Sequence, residues 1–292
     1  MVVNIFLLIF SAVEYHIHTA ILFTWTDYKT IFLPITVFAC ATAPLQSFSS
    51  LLQCGVWIWF HQLMCNVSNQ ARSYQEDKAN RPWRPLPSGR ISGPKAVVLR
   101  WTTVLLCILL SFIYDQDLVP TTLSLVAVTY TYDELGGASN IVGKALCTAG
   151  GYASFEVGAT TIISANHNLD IVSVTAVIIS GILIFTVIQA QDFPDVEGDK
   201  LARRMTFPIY APELSRFLTL FAIVAWSVFL SWFWGIGRIS TALFISFGIH
   251  VGLRYYLCRT LAADRKSYLI FNVWLMAAHV LPLHARTSVL AL

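Results

Sequence analysis

Apolar stretches close to the length needed to cross a bilayer recur along this chain almost from end to end. A hydrocarbon core about 30 Å thick takes roughly 20 helical residues, and lipid tolerates only elements that satisfy their own backbone groups. Charged residues make up 12% of the chain, against about 25% in soluble domains. Too little polar surface remains to cover a water-soluble globule. The sequence therefore predicts an all-α, polytopic membrane bundle of about nine transmembrane helices. The predicted spans are 29–46, 48–72, 95–114, 117–134, 140–163, 170–190, 213–234, 238–258 and 267–288. Residues 1–24 are apolar but interrupted by Glu14, His16 and His18, and read as an interfacial helix.

Residues 1–292 read as a single transmembrane domain. Two long polar loops, 73–94 and 191–212, stand at matching places and suggest two similar halves, about 1–134 and 135–292. Basic residues set the orientation. Arg72, Lys78, Arg81, Arg84, Arg90, Lys95 and Arg100 cluster around the first loop, and Lys144, Lys200, Arg203, Arg204, Arg254, Arg259, Arg265 and Lys266 follow on later connections of the same side. The opposite side carries Asp115, Asp117 and Asp170 and few cations. Both polar loops are thus expected in the cytoplasm. The N-terminus has neither a basic n-region with a small-residue cleavage site nor an Arg-rich transit pattern, so the endoplasmic reticulum is the expected location in a eukaryote. A net charge of +3 gives no reason to expect a nucleic-acid partner. The six cysteines are scattered, without metal-ligand spacing.

Chemistry concentrates in the two loops. In Asn69-Gln-Ala-Arg-Ser-Tyr-Gln-Glu-Asp77, the residues Asn69, Ser73 and Asp77 fall one turn apart and share a helical face. Arg72 and Glu76 occupy an adjacent face. Oxygen ligands at this spacing suit magnesium, which takes one or two carboxylates, waters and substrate phosphate oxygens. The proline-braced stretch that follows, Asn80 to Arg90, offers Arg81, Arg84 and Arg90, and guanidiniums recognise phosphate bidentately. In the second loop, Asp192, Asp195 and Asp199 share a face if the helix persists through Pro194. Three crowded carboxylates stay ionised only with cations nearby, which points to a second magnesium site. Two acidic faces ringed by Arg and Lys form a trap for a diphosphate, with apolar helices behind it for a hydrocarbon tail.

These residues resemble the UbiA superfamily of intramembrane prenyltransferases. NQARSYQEDKANRPWRPLPSGRIS is similar to that family's first Asp-rich motif, and QDFPDVEGDK to its second. The resemblance implies a UbiA-like helical bundle, magnesium as cofactor, a prenyl diphosphate substrate and the lipid bilayer as surroundings. It carries Asn69, Asp77, Asp192, Asp195 and Asp199 over as the catalytic, metal-holding set, with Arg81, Arg84 and Lys200 as phosphate contacts. Ser73 stands where the family has its first aspartate, leaving a neutral oxygen among the metal ligands. The Asn-Arg-Pro-Trp-Arg-Pro loop resembles a fungal, secondary-metabolism branch that includes terpene cyclases as well as transferases.

Further candidates for substrate contact are Arg72, Ser73, Tyr132 at the cytoplasmic end of the fourth span, Lys144 facing it across a Gly-Gly loop, and Glu156, an ionisable group at membrane depth. Two activities share one first step. In a prenyltransferase the cation left by diphosphate departure is captured by an aromatic co-substrate. In a terpene cyclase acting on farnesyl diphosphate, the chain's own double bonds capture it. Ser73 with the fungal-type loop favours the latter, but the breadth of transferase chemistry in the superfamily favours the former, and transfer to an aromatic acceptor is the expected activity with cyclisation as the alternative. A transporter is a remote third reading, because the acidic faces lie at the membrane surface rather than the midplane.

Overall fold

The computed structural model describes residues 2–165 and 167–292, with side chains from residue 10 onward. Among these residues every regular element is helical. Helix α1 (Val2–Thr24) passes into a 3-10 turn at Trp25–Asp27 and a π-helical turn at Tyr28–Phe32 before α2 (Leu33–Thr42). Then come α3 (Phe48–Arg72), α4 (Tyr74–Asn80), α5 (Gly93–Tyr114), α6 (Val119–Asp133), α7 (Ile141–Ile163) and α8 (Ile171–Val187). The remainder is α9 (Val196–Leu201), α10 (Phe207–Tyr210), α11 (Pro212–Trp234), α12 (Arg238–Leu257), α13 (Leu261–Val280) and α14 (His284–Thr287).

Side-chain caps fix several of the starts. The side chains of Ser47, Asn140, Asp170 and Thr260 accept from the backbone amides of Ser50, Gly143, Ser173 and Ala263, which would otherwise lack partners. The Thr260 cap moves the start of α13 to Leu261, well before the expected 267, so Arg265 and Lys266 lie within the helix rather than in the loop. The span expected over 29–46 is also divided, because its first residues form the irregular turn ahead of α2.

Among the described residues, four helical stretches are long and apolar enough to cross a membrane by length and composition: Gly93–Tyr114, Ile171–Leu201, Pro212–Trp234 and Leu261–Thr287. Helices α3 and α7 have comparable length, but polar side chains dilute their apolar character. Gln62, Asn66 and Gln70 on α3, and Lys144 and Glu156 on α7, are buried inside the bundle rather than turned to lipid. These two helices carry much of the candidate site.

One apolar core joins α8, α11, α12 and α13 around Ile223, Val251, Phe271 and Trp274; a second joins α2, α3, α6 and α7 around Ile35, Trp57, Leu125 and Phe155. Small residues bring helices close. A Cβ on Gly158 would meet the Trp57 ring at 2.3 Å, and one on Gly248 would meet Ser227 Oγ at 2.1 Å. Interfaces of this kind hold helices together where water cannot drive association. A third cluster, Phe23 with Leu63, Val67 and Ala96, ties the end of α1 to α3 and α5. Higher on α1, the Tyr15 hydroxyl donates to the Arg90 carbonyl (2.7 Å) and the Arg90 guanidinium lies 4.0 Å over the Tyr15 ring.

Candidate active site

A cavity of about 530 Å³ opens where both polar loops meet the bundle. That volume falls in the range of small-molecule sites, roughly 300–1,000 Å³. Its lining carries six acidic side chains (Asp27, Glu76, Asp133, Asp192, Asp195, Asp199) and six basic ones (Lys29, Arg81, Arg84, Lys144, Arg204, Arg265). Ile31, Ile35, Leu125, Val128 and Phe155 add an apolar wall, and Tyr132, Tyr152 and Tyr268 add aromatic faces.

The first motif is not one continuous helix. It breaks at Ser73, which caps α3 and precedes α4 with φ −102° and ψ 29°. Asn69 stays in the cavity wall, its amide donating to Asp133 Oδ1 at 3.0 Å. Ser73 is buried and donates to the Asn69 carbonyl at 2.9 Å. Asp77 turns away from the cavity: fully buried, it accepts from Arg84 Nη1 at 2.6 Å and from the Ser73 hydroxyl at 3.3 Å. Burial pushes the Asp77 carboxyl above the usual carboxylate range, and Arg84 works against that rise. The carboxylate that α4 presents to the cavity is instead Glu76, paired with Arg204 at 2.6 Å. Arg72 is half-exposed outside the lining and pairs with Glu134 at 2.6 Å.

The second motif does not keep a single helical face either. Two 3-10 turns, Ile188–Gln191 and Phe193–Asp195, lead into α9, with Pro194 at the start of the second. Asp192 and Asp195 consequently meet different cations. Asp192 Oδ1 lies 2.7 Å from Lys144 Nζ, and Asp195 accepts from Arg81 Nη2 at 2.9 Å. Burial disfavours charge on the Arg81 guanidinium, but Asp195 more than offsets it and raises the pKa. Asp199 is different. It is 1% exposed and neither of its oxygens has a hydrogen-bond donor. Its nearest cations, Lys144 and Arg204, stand at 3.7 Å.

The two motifs touch through Gly198 and Asn80. A Cβ on Gly198 would come within 2.1 Å of Asn80 Nδ2, so a larger residue here must displace the Asn80 side chain that joins the end of α4 to α9. Gly198→Ala should therefore separate the loops and lower the affinity for a prenyl diphosphate about tenfold, while costing no more than about 1–3 kcal/mol of stability. Equilibrium binding of a non-reactive substrate analogue, alongside thermal unfolding, measures both.

Lys200 is exposed and outside the lining; Lys29 and Lys144 reach the cavity instead. Glu156 lies behind the wall, fully buried, accepting from the Ser180 hydroxyl at 2.5 Å with His279 Nε2 at 3.6 Å. Sequence reasoning missed Asp27, Lys29 and Tyr268, and saw Arg204 only as a loop cation. The polar run Trp25-Thr-Asp-Tyr-Lys29 between two apolar stretches is the signal that marks the first two.

Among the described residues no group of three His, Cys, Asp or Glu side chains forms a ready-made metal cage. Magnesium does not require one, since it takes few carboxylates and completes its shell with waters and substrate oxygens. Two observations fit that use. Asp199 keeps buried, donor-free oxygens, and the lining charges balance six against six. An arriving diphosphate therefore brings negative charge that the side chains alone do not neutralise.

Residues 31–276 match the UbiA prenyltransferase family. The chain belongs to that family. It is similar to the fumagillin beta-trans-bergamotene synthase of Aspergillus fumigatus, with 27% identity over 269 residues, 92% of each chain. It is also similar to a diterpene cyclase of Hericium erinaceus, with 26% identity over 268 residues, 86% of this chain and 82% of the relative. Among solved structures, a UbiA homolog from Archaeoglobus fulgidus bound to DMAPP and Mg2+ shares the fold at a TM-score of 0.68 and 16% identity, covering 93% of this chain and 100% of that one. The chain is thus an integral membrane enzyme of the UbiA prenyltransferase type.

Proposed function

We propose that this enzyme ionises a prenyl diphosphate with magnesium and lets the chain's own double bonds capture the resulting cation, making it a terpene cyclase. The observation that carries this reading is the likeness, over nearly the whole of both chains, to a bergamotene synthase. Geometry supports the shared first step. Arg81, Lys144 and Arg204 line the same cavity as the two acidic loops and hold the charged head of a substrate. Asp192, Asp195, Asp199, Glu76 and Asn69 would hold magnesium at this mouth, where it would supply neutralising charge for the leaving diphosphate. The apolar wall receives the hydrocarbon tail, and the bundle keeps water from the cation.

Transfer to an aromatic co-substrate is the second reading, favoured by the family's description as prenyltransferases. Sequence alone leans that way; the cyclase relatives reverse the preference. Basic residues around both loops support a cytoplasmic mouth, with the endoplasmic reticulum as the membrane.

The two readings separate in one incubation. Purified protein in bilayer discs, given magnesium and farnesyl diphosphate with no acceptor, is expected to yield a cyclic hydrocarbon detectable by gas chromatography. Turnover that begins only when an aromatic acceptor is added would overturn the cyclase reading and leave transfer.

A further inference from the structure

Lys29 belongs to neither acidic motif. It stands on the π-helical turn Tyr28–Phe32, next to Asp27, where α1 gives way to α2. The turn is held on several sides. Tyr152 donates its hydroxyl to the Thr30 carbonyl at 2.5 Å, Trp59 Nε1 donates to the Tyr28 hydroxyl at 3.0 Å, and Arg84 Nη2 donates to the Thr26 hydroxyl at 3.1 Å. Irregular backbone at membrane depth is tolerated where it lines a cavity, and single π-turns recur at functional sites. This one brings Lys29 into the same lining as Tyr268 of α13.

The Lys29 ammonium lies over the Tyr268 ring, 5.5 Å from its centroid. Phe271 stacks with the same ring at 6.2 Å and 17°, which holds its orientation. The charged neighbours of both residues are Asp27, Asp195 and Arg81. The ring therefore stands beside the charged groups that line the mouth of the cavity.

We infer that Tyr268 is the aromatic face that stabilises the allylic cation, and that Lys29 covers this face until an incoming diphosphate draws its ammonium away. The step rests on the ionisation proposed above. When the carbon–oxygen bond breaks, its electron pair leaves with the diphosphate and the positive charge stays on the allyl group; no proton moves. A ring face holds one cation well, and a second of like charge is repelled from the same place. Diphosphate oxygens attract an ammonium more strongly than a π-face does. Substrate binding thus vacates the ring just before it is needed, and adds Lys29 to the charges on the leaving group.

The test uses a prenyl ammonium salt, which mimics the allylic cation, with and without inorganic diphosphate. Binding to the full-length protein in bilayer discs is read by calorimetry. Lys29→Met is expected to bind the ammonium alone about fivefold more tightly than wild type, because the face is vacant, and to lose most of the enhancement that diphosphate gives wild type. Tyr268→Leu should weaken ammonium binding in the presence of diphosphate about tenfold, and Tyr268→Phe should restore it because the ring remains. Ammonium binding that is unchanged or weaker in Lys29→Met, or a Tyr268→Phe protein as defective as Tyr268→Leu, overturns the inference. Wild-type release of diphosphate from farnesyl diphosphate is measured in parallel. If it is absent, the proposed function falls and the inference with it; if it is present while the variants fail as described, the inference alone falls.

Discussion

Asp199→Asn is expected to suppress diphosphate release at least about a hundredfold, without lowering the temperature of unfolding. The two halves of this expectation come from one observation. Asp199 is buried yet neither oxygen accepts a hydrogen bond, and its closest cations are 3.7 Å away. A buried charge with so few partners costs stability in the resting protein. It is retained where it does something for the bound state, and a hard cation arriving with a diphosphate is the partner its chemistry fits. Asparagine keeps the shape, removes the charge and donates a hydrogen bond where magnesium needs an acceptor. Diphosphate release measured by a coupled assay, with differential scanning fluorimetry on the same preparation, gives both readouts. Full activity in the variant would remove Asp199 from the metal-holding set.

Asp77→Ala should behave in the opposite way, with a loss of about 3–5 kcal/mol of stability, because it leaves a buried guanidinium without its carboxylate. Arg84 is itself buried, donates to Asp77 at 2.6 Å and reaches Thr26 on the far side. Asp77 thus anchors the proline-braced loop to the irregular turn after α1. Activity falls as well, through misplacement of that loop. The double variant Asp77→Ala/Arg84→Met removes the uncompensated charge and should recover much of the stability, and the double-mutant cycle measures the coupling. Were Asp77→Ala to lose activity with no loss of stability, Asp77 would be a direct ligand rather than an anchor.

These contrasting roles show where sequence reading stops. The long helices were legible because their apolar lengths are local features of the sequence. The two acidic loops were legible because carboxylates and guanidiniums crowd where apolar helices end. Register within the loops was not. The break at Ser73 and the pair of 3-10 turns around Pro194 interrupt the faces that a continuous helix would give. As a result, α4 offers Glu76 to the cavity and turns Asp77 to Arg84. Pairings such as Glu76 with Arg204, and Lys144 with Asp192, join segments far apart in the chain, and nothing local specifies them. Asp27 and Lys29 were hidden for a related reason. Their weight comes from an irregular turn that only the packing of α3, α7 and the proline-braced loop holds in place.

The proposed magnesium-dependent ionisation of a prenyl diphosphate takes place in the one cavity that both acidic loops and their cations line. Its most direct test is the rate of inorganic diphosphate release from farnesyl diphosphate by the protein in bilayer discs, titrated with magnesium and then with a chelator. Release is expected to rise with magnesium, stop on chelation and return when magnesium is restored. Release that continues at the same rate in excess chelator, or none at any magnesium concentration with farnesyl, geranyl or geranylgeranyl diphosphate, would contradict it.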